Sequence, residues 1–490
     1  MKNSWSASLK WCMAAFIALS VPASAMTARP VSGSQPLTGA RSSQAGADVS
    51  FNKAGDEAAR YLSSYIKVNT TNPPGNERLG ADYLASVLKD NGIEAQVFDT
   101  TPGRASVYAR LKGSGKKRPI ILLNHIDVVP ARAEDWQHPP FQGEIHDGEL
   151  WGRGALDMKG MAIAELEAML LLKRSGRKPD RDVIFLGTPD EEVGGDYGAK
   201  SFVQNHSDLI KDAEFLLNEG FHIDTDQDGK IRFWGIDIGE KSPLWLKLTA
   251  RGEAGHASMP MADASTSRLV RALARIVDRK PEVLVLPAVR EFFQQVSKTE
   301  TGPLRSAYAD IDSAVKDQRT VDMVLKDKIK SCMLVNTISL TVLQAGYKTN
   351  VIPAEATAEL DCRLLPGIKH EEFINGMKKL IADPEIAVSV LEWQSATPSP
   401  FDTELFSAIK SVAAEESAVL PVVPVIVPWF TDSHWFRDLG IVSYGFEPFE
   451  IDEKHIATMH GRDERIPLTS LTNGVQRMYK ILERLAVPPQ

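Results

Sequence analysis

Ile120-Ile121-Leu122-Leu123-Asn124-His125-Ile126-Asp127 is the stretch on which the reading of this chain turns. Four apolar residues between polar ones read as a short strand buried on both faces, and the run ends on an imidazole and a carboxylate. The same grammar recurs three times. Trp151-Gly152-Arg153-Gly154 leads to Asp157; Val183-Ile184-Phe185-Leu186 leads through Gly187-Thr188-Pro189 to Asp190-Glu191-Glu192; Phe215-Leu216-Leu217 leads to Asn218-Glu219. In open α/β sheets, ligands collect outside the carboxyl ends of the strands. One histidine and three or four carboxylates delivered to one such edge form a cluster too acidic to stand without cations. That points to a hydrolytic metal centre.

Outward from these runs, residues 51–242 alternate apolar strands with amphipathic helices such as Gly160 to Arg174. This predicts an α/β fold with a mostly parallel sheet covered by helices on both faces. The pattern changes at Ser242-Pro243. A strand on Leu244, Leu246 and Leu248 is followed by a helix over Asp263 to Asp278 and strands over Met333 to Leu343 and Ala354 to Leu364. A helix over Glu371 to Ile381 and a strand over Glu385 to Trp393 complete the set. The order β-α-β-β-α-β predicts an inserted ferredoxin-like α+β domain over residues 243–396, after which residues 397–490 return to the first domain. Within the insertion, residues 279–330 are polar with helical patches and exceed ordinary connection lengths. They read either as a surface elaboration or as a pocket cover or altered dimer edge.

At 490 residues the chain is long enough for two domains. Its net charge of −8 comes with no dense basic stretch, which excludes a nucleic-acid partner. Lys2 and Lys10 precede the apolar run Trp11 to Val21, which ends in Ala23-Ser24-Ala25. This is the pattern of a signal peptide over residues 1–25, followed by a flexible leader over 26–50, and it predicts a periplasmic or extracellular protein. The run is too short for a bilayer span, so the mature chain is expected to have none. Cys332 and Cys362, both placed in strands, are expected to be unpaired small hydrophobes.

Six further stretches carry a resemblance. They are Val68 to Glu77, His125 to Pro130, Gly152 to Gly160, Asp190 to Gly194, Gly255-His256-Ala257-Ser258 and His460-Gly461-Arg462-Asp463-Glu464. Their order over about residues 55–485 resembles the di-zinc exopeptidases and deacylases, the family of glutamate carboxypeptidase, aminoacylase, carboxypeptidase S, acetylornithine deacetylase and succinyl-diaminopimelate desuccinylase. The resemblance implies that the inserted domain is a lid or dimerisation domain and the protein a homodimer through it. It also implies two Zn²⁺ ions, with Co²⁺ or Mn²⁺ as substitutes, held by His125, Asp157, Glu192, Glu219 and His460. Asp157 would bridge the two ions, with His125 and Glu219 completing opposite ends. A donor set of imidazole and carboxylate without thiolate suits these metals.

In the same resemblance Glu191 is the general base and His256 stabilises the oxyanion of the tetrahedral intermediate, often from the partner subunit. Asp127, two residues past His125, would hold the other imidazole nitrogen. Alternation along Ala354 to Leu364 sets Arg363 opposite the apolar face, free to fork onto a substrate carboxylate with Asn350 beside it, or else paired with Asp361 or Glu359. Asp190 reads as a loop hydrogen-bonder, and His434 stays unassigned. His138, His146, His206, His222, His370 and His455 lie in polar contexts without partner spacing.

The expected activity is cleavage of the amide bond of N-acyl amino acids or short peptides with a free carboxylate, by hydroxide that paired divalent cations generate. An aminopeptidase or dipeptidase on the same centre is the alternative within enzymes, and a non-catalytic binding scaffold the alternative outside them. No Gly-x-Ser-x-Gly elbow, His-Glu-x-x-His pair or complete phosphate loop is present.

Overall fold

The computed structural model describes residues 49–226 and 228–488, so the predicted signal peptide and nearly all of the leader lie outside it. Its main sheet has eight strands. In spatial order they are Ala95–Thr101, Arg104–Leu111, Val183–Thr188, Ile120–His125, Phe215–Thr225, Val442–Ile451, Ile231–Glu240 and Val422–Val427. The central strands pair in parallel: Ile120–His125 with both Val183–Thr188 and Phe215–Thr225, and the latter with Val442–Ile451. The Ala95–Thr101 edge is antiparallel.

Every residue of Ile120–His125 and of Val183–Thr188 is buried. Successive side chains on a strand point to opposite faces, and here they feed two different cores. Ile120, Leu122 and Phe185 join the larger core under helices Phe51–Ile66, Lys159–Arg174 and Leu468–Ala486. Ile121, Leu123, Ile184 and Leu186 join a smaller one with Phe202 and Phe436. Burial on both faces is why these strands appear in the sequence as unbroken apolar runs rather than alternations.

A second, four-stranded sheet runs Thr337–Ala345, Glu355–Leu364, Ser242–Arg251 and Ile386–Trp393, antiparallel throughout. Helices Ser265–Val277 and His370–Ile381 pack on one face, over a core of its own that includes Leu246, Leu248, Leu360 and Cys362. Strand order and connectivity are those of a ferredoxin-like sandwich.

Three details depart from the sequence reading. Asp157 follows Glu149–Trp151, a strand not of the main sheet but of a small three-stranded one with Glu144–His146 and Arg465–Pro467. Cys332 closes the short helix Lys328–Cys332 rather than sitting in a strand; it and the buried Cys362 are both unpaired. The segment 279–330 forms helices whose apolar faces, carrying Val289, Phe292, Phe293 and Tyr308, belong to the larger core of the main sheet rather than to the second sheet. Phe292 meets Phe233 edge to face, with centroids 5.6 Å apart. Among the described residues no helix is long and apolar enough to cross a membrane.

Candidate metal centre

His125 ends its strand with its ring buried. Nδ1 lies 2.9 Å from the backbone carbonyl of Asp127. A carbonyl can only accept, so Nδ1 carries a proton and Nε2 is the nitrogen left to offer a lone pair to a cation. The carboxylate of Asp127 does not fix that tautomer: its nearer approach to Nδ1 is 3.7 Å. Instead Oδ1 accepts the amide of Glu191 at 3.1 Å, and Oδ2 accepts the amide of Glu192 at 3.2 Å and Nδ2 of Asn72 at 2.9 Å. Asp127 thus ties the end of one strand to the acidic loop after its neighbour. Asp190, in the left-handed region at φ 76°, holds that loop's turn by accepting the Tyr197 amide at 2.9 Å and by pairing with Arg104.

Asp157 stands at the middle of the cluster. Its Oδ1 is 2.9 Å from His125 Nε2 and its Oδ2 is 2.8 Å from His460 Nε2. Glu219 Oε2 lies 3.6 Å from His125 Nε2, and Glu192 Oε2 lies 3.1 Å from His460 Nε2. Two donor sets therefore share Asp157: His125 with Glu219, and His460 with Glu192. Glu219 sits at the same end as His125, not opposite it. Its aim comes from a bulge. Gly445 opposes Asn218 while Phe446 opposes Phe221, leaving Glu219 and Gly220 out of register. A Cβ on Gly220 would come within 2.5 Å of the Gly445 Cα, so the close approach requires glycine there.

Ligands at roughly 2.0–2.2 Å from a tetrahedral ion lie about 3.3–3.6 Å from each other, close to the spacings here. One oxygen of Glu192, Oε1, is buried without a hydrogen-bond partner. The set fits divalent cations, and the electrostatics of its own groups show how strongly it needs positive charge. Burial, with the Glu219 charge, holds Glu191 well above the usual carboxylate range, and burial beside Asp157 pushes Glu192 up to about 7. Burial raises Glu219 as well. Hydrogen bonds to Asp157 and Glu192 raise His460 to about 10. Burial disfavours the His125 imidazolium, but Glu219 and Asp157 outweigh it and lift its pKa. Burial would raise Asp157, yet its two imidazole partners hold it low.

A pH dependence follows. Carboxylates raised in the fold bind more protons folded than unfolded between their two pKa values, so stability falls as pH rises through that window. The two imidazoles contribute stability that is complete below 6.5 and is lost as pH rises, for His460 as pH climbs toward about 10. Asp157, held low, adds no slope above its ordinary value. All slopes in the neutral range have one sign. The melting-temperature gap between metal-loaded and chelator-treated protein should therefore widen from about pH 5.5 to about pH 8. A constant or narrowing gap in calorimetry would contradict the assignment of these groups to the cation site.

Sequence reasoning gave no role to the residue that organises the Asp157 loop. Glu464 is fully buried and accepts four donors: Arg153 Nη1 at 2.5 Å, and the amides of Gly154 at 3.0 Å, Leu156 at 2.8 Å and Asp157 at 3.1 Å. Arg104 was missed too. It joins Glu77 at 3.2 Å, Asn72 Oδ1 at 2.7 Å and Asp190. Glu464 lay visible in the last motif. Arg104, at the start of the strand Arg104–Leu111 and far from any motif, left no signal.

Beside the cluster opens a cavity of about 350 Å³. Asp157, Glu191, Glu192, Glu219, Glu447 and His460 line it, together with Trp429, Phe430 and other apolar side chains. His222 also reaches it, a histidine whose sequence context suggested no role; burial and nearby Arg232 lower its pKa to about 4. His434 backs the wall, its ring 4.1 Å from that of Phe430 and its Nδ1 2.8 Å from the Thr431 carbonyl.

The remaining predicted residues are elsewhere. His256 is exposed on the two-residue strand Gly255–His256, with Nδ1 accepting Ser258 Oγ at 2.7 Å, and does not line the cavity. Asn350 is exposed and accepts the Ala257 amide through its carbonyl at 3.2 Å. Arg363 forks onto Asp361 at 2.8 and 3.1 Å. A third group, His138, Glu144 and His146, has ligand atoms within 4.8 Å. Its imidazoles stack at 3.6 Å and 12°, however, so an ion in one ring plane lies off the other.

Comparison with known proteins agrees with this geometry. The family model described as "Peptidase family M20/M25/M40" matches residues 121–484. The chain belongs to that family. It is 31% identical over 414 residues to an N-fatty-acyl-amino acid synthase/hydrolase of Xenopus tropicalis, covering 82% of this chain and 79% of that protein. It is 30% identical over 386 residues to a probable carboxypeptidase S-like 2 of Dictyostelium discoideum, covering 75% and 71%. A crystal structure of an M20 family metallo-carboxypeptidase from Sulfolobus solfataricus superposes with a TM-score of 0.67 at 20% identity, covering 88% and 99%. Membership makes this M20 protein a metal-dependent hydrolase of amide bonds.

Proposed function

We propose that this M20 protein is a co-catalytic di-zinc amidohydrolase that cleaves N-acyl amino acids or short peptides bearing a free carboxylate. One observation carries the reading: the two oxygens of Asp157 face two different histidine–glutamate pairs, 2.9 and 2.8 Å from His125 and His460. His125, Asp157 and Glu219 would hold one cation, and His460, Asp157 and Glu192 the other. When bound, such ions polarise the scissile carbonyl and acidify water.

The chain's own residues do the rest. Asp127 sets the His125 tautomer through its carbonyl and fixes the Glu191–Glu192 loop through its carboxylate. Glu191 lines the cavity, with a carboxylate oxygen within 4.8 Å of ligand atoms of His125 and Glu219, and is assigned the proton transfer rather than a cation. Burial raises its proton affinity, so it can take a proton from the attacking water and deliver it to the leaving nitrogen. Named relatives act on related bonds, as their descriptions as N-fatty-acyl-amino acid hydrolase and carboxypeptidase S-like protein state. His256 and Arg363, outside the cavity of this chain, carry no step of the proposal.

The test compares an N-acetyl amino acid with the corresponding amino acid amide, after metal analysis of the purified protein. Two equivalents of zinc and cleavage of the acetylated substrate are expected. Cleavage of the amide alone would make the protein an aminopeptidase, and no cleavage of either by the zinc-loaded protein would favour a binding scaffold.

A further inference from the structure

The cavity beside the metal centre is lined by two unlike kinds of side chain. Five carboxylates already named line it and, besides Leu156 next to Asp157, so do the apolar residues Ile329, Trp429, Phe430, Ile451, Ile456 and Met459. Among the described residues no lysine or arginine lines it. His460 is engaged with Asp157 and Glu192. The cavity therefore offers no cationic side chain to fork onto a substrate carboxylate. An uncharged hydrocarbon would meet a matching wall. At about 350 Å³ the cavity falls within the roughly 300–1,000 Å³ of small-molecule pockets.

Five of the six apolar residues come from the C-terminal part of the catalytic layer. Ile329 does not: it comes from the long insertion, on the short helix Lys328–Cys332. That helix is firmly placed. Asp327 caps it, accepting the Lys330 amide at 3.0 Å, and Lys330 Nζ turns back onto Asp327 at 2.7 Å while lying 5.5 Å over the Tyr308 ring. Tyr308 packs on Phe293 at 4.8 Å within the larger core. The insertion therefore delivers one apolar side chain to the cavity from a rigid base, and folds the neighbouring ammonium away from it.

We infer that the cavity takes the acyl half of the substrate and that Ile329 is the residue that sets how long an acyl chain is accepted. The inference rests on the amidohydrolase reading above. Ile329 is 39% exposed, so changing it leaves the core packing intact.

The experiment measures kcat/KM of the zinc-loaded enzyme on one amino acid acylated with acetyl, hexanoyl, decanoyl and myristoyl groups. In the wild type, kcat/KM should rise by up to roughly 4-fold per methylene buried, then level off at a break length. Ile329→Trp should move the break to shorter chains and lower the decanoyl-to-acetyl ratio at least ~10-fold. Ile329→Ala should move the break to longer chains. Variants that scale every chain length by the same factor, or that keep the wild-type ratio, would overturn the inference. So would a second series at fixed acyl group in which Ile329→Trp reorders preference among amino acids instead. Failure of the wild type to cleave any member would remove the amidohydrolase reading itself, and this inference with it.

Discussion

Glu191→Gln should lower kcat by ~10²–10⁴, the range of a general base, while retaining both metal equivalents. The substitution keeps the side chain's shape and removes only its capacity to accept a proton. Retention of metal is the informative half. Ligand atoms of His125, Glu191 and Glu219 lie within 4.8 Å of one another, so Glu191 is close enough to be a ligand itself. Its neighbour Glu192 pairs instead with His460 at 3.1 Å. Metal analysis alongside steady-state kinetics separates the roles: loss of one equivalent in Glu191→Gln would make Glu191 a ligand and leave the proton transfer without an owner.

Glu464→Ala should be the most destabilising single change in the site, although Glu464 touches no proposed ligand side chain. Its carboxylate holds Arg153 and three consecutive-loop amides, all in a fully buried place. Removing one partner of a buried ion pair costs about 3–5 kcal/mol, because the other charge stays buried and alone. Here three amides also lose their acceptor. We expect a melting temperature lower by at least ~5 °C and loss of bound metal, since the loop that aims Asp157 has lost its anchor. Glu464→Gln, which keeps one acceptor oxygen, should fall between. Wild-type melting and metal content in Glu464→Ala would show that the loop holds its shape by other means.

Much of the molecule was legible in residue order. The strands Ile120–His125 and Val183–Thr188 read correctly because burial on both faces leaves an unbroken apolar run. The second sheet read correctly because alternation along Glu355–Leu364 matches its one-sided burial. Of the cluster at Asp157, His125, Glu192 and Glu219 were legible because each follows such a run, whereas His460 was legible only in the last motif. Other features depend on distances the sequence does not contain. That Glu219 joins His125 rather than opposing it follows from a bulge against Gly445, a mismatch of register between strands more than 200 residues apart. That the His125 tautomer is set by a carbonyl rather than by the Asp127 carboxylate follows from competition: two amides and Asn72 claim those oxygens. Arg363 follows the same logic, since Asp361 two residues away is a nearer partner than any substrate. The insertion's packing was hidden because helical patches show which face is apolar, not which core receives it.

The small three-stranded sheet has a consequence for how the protein is made. Arg465–Pro467 pairs with Glu149–Trp151, just before the Asp157 loop, and Glu464 closes that loop. His125, Asp157, Glu192 and Glu219 leave the ribosome before the whole second sheet, while His460 and Glu464 follow it. A nascent chain thus displays four of the five proposed ligands for as long as some 240 further residues take to synthesise. During that interval the Asp157 loop lacks its anchor and one donor set lacks its imidazole. The five proposed ligands are therefore brought together only once the last strand closes.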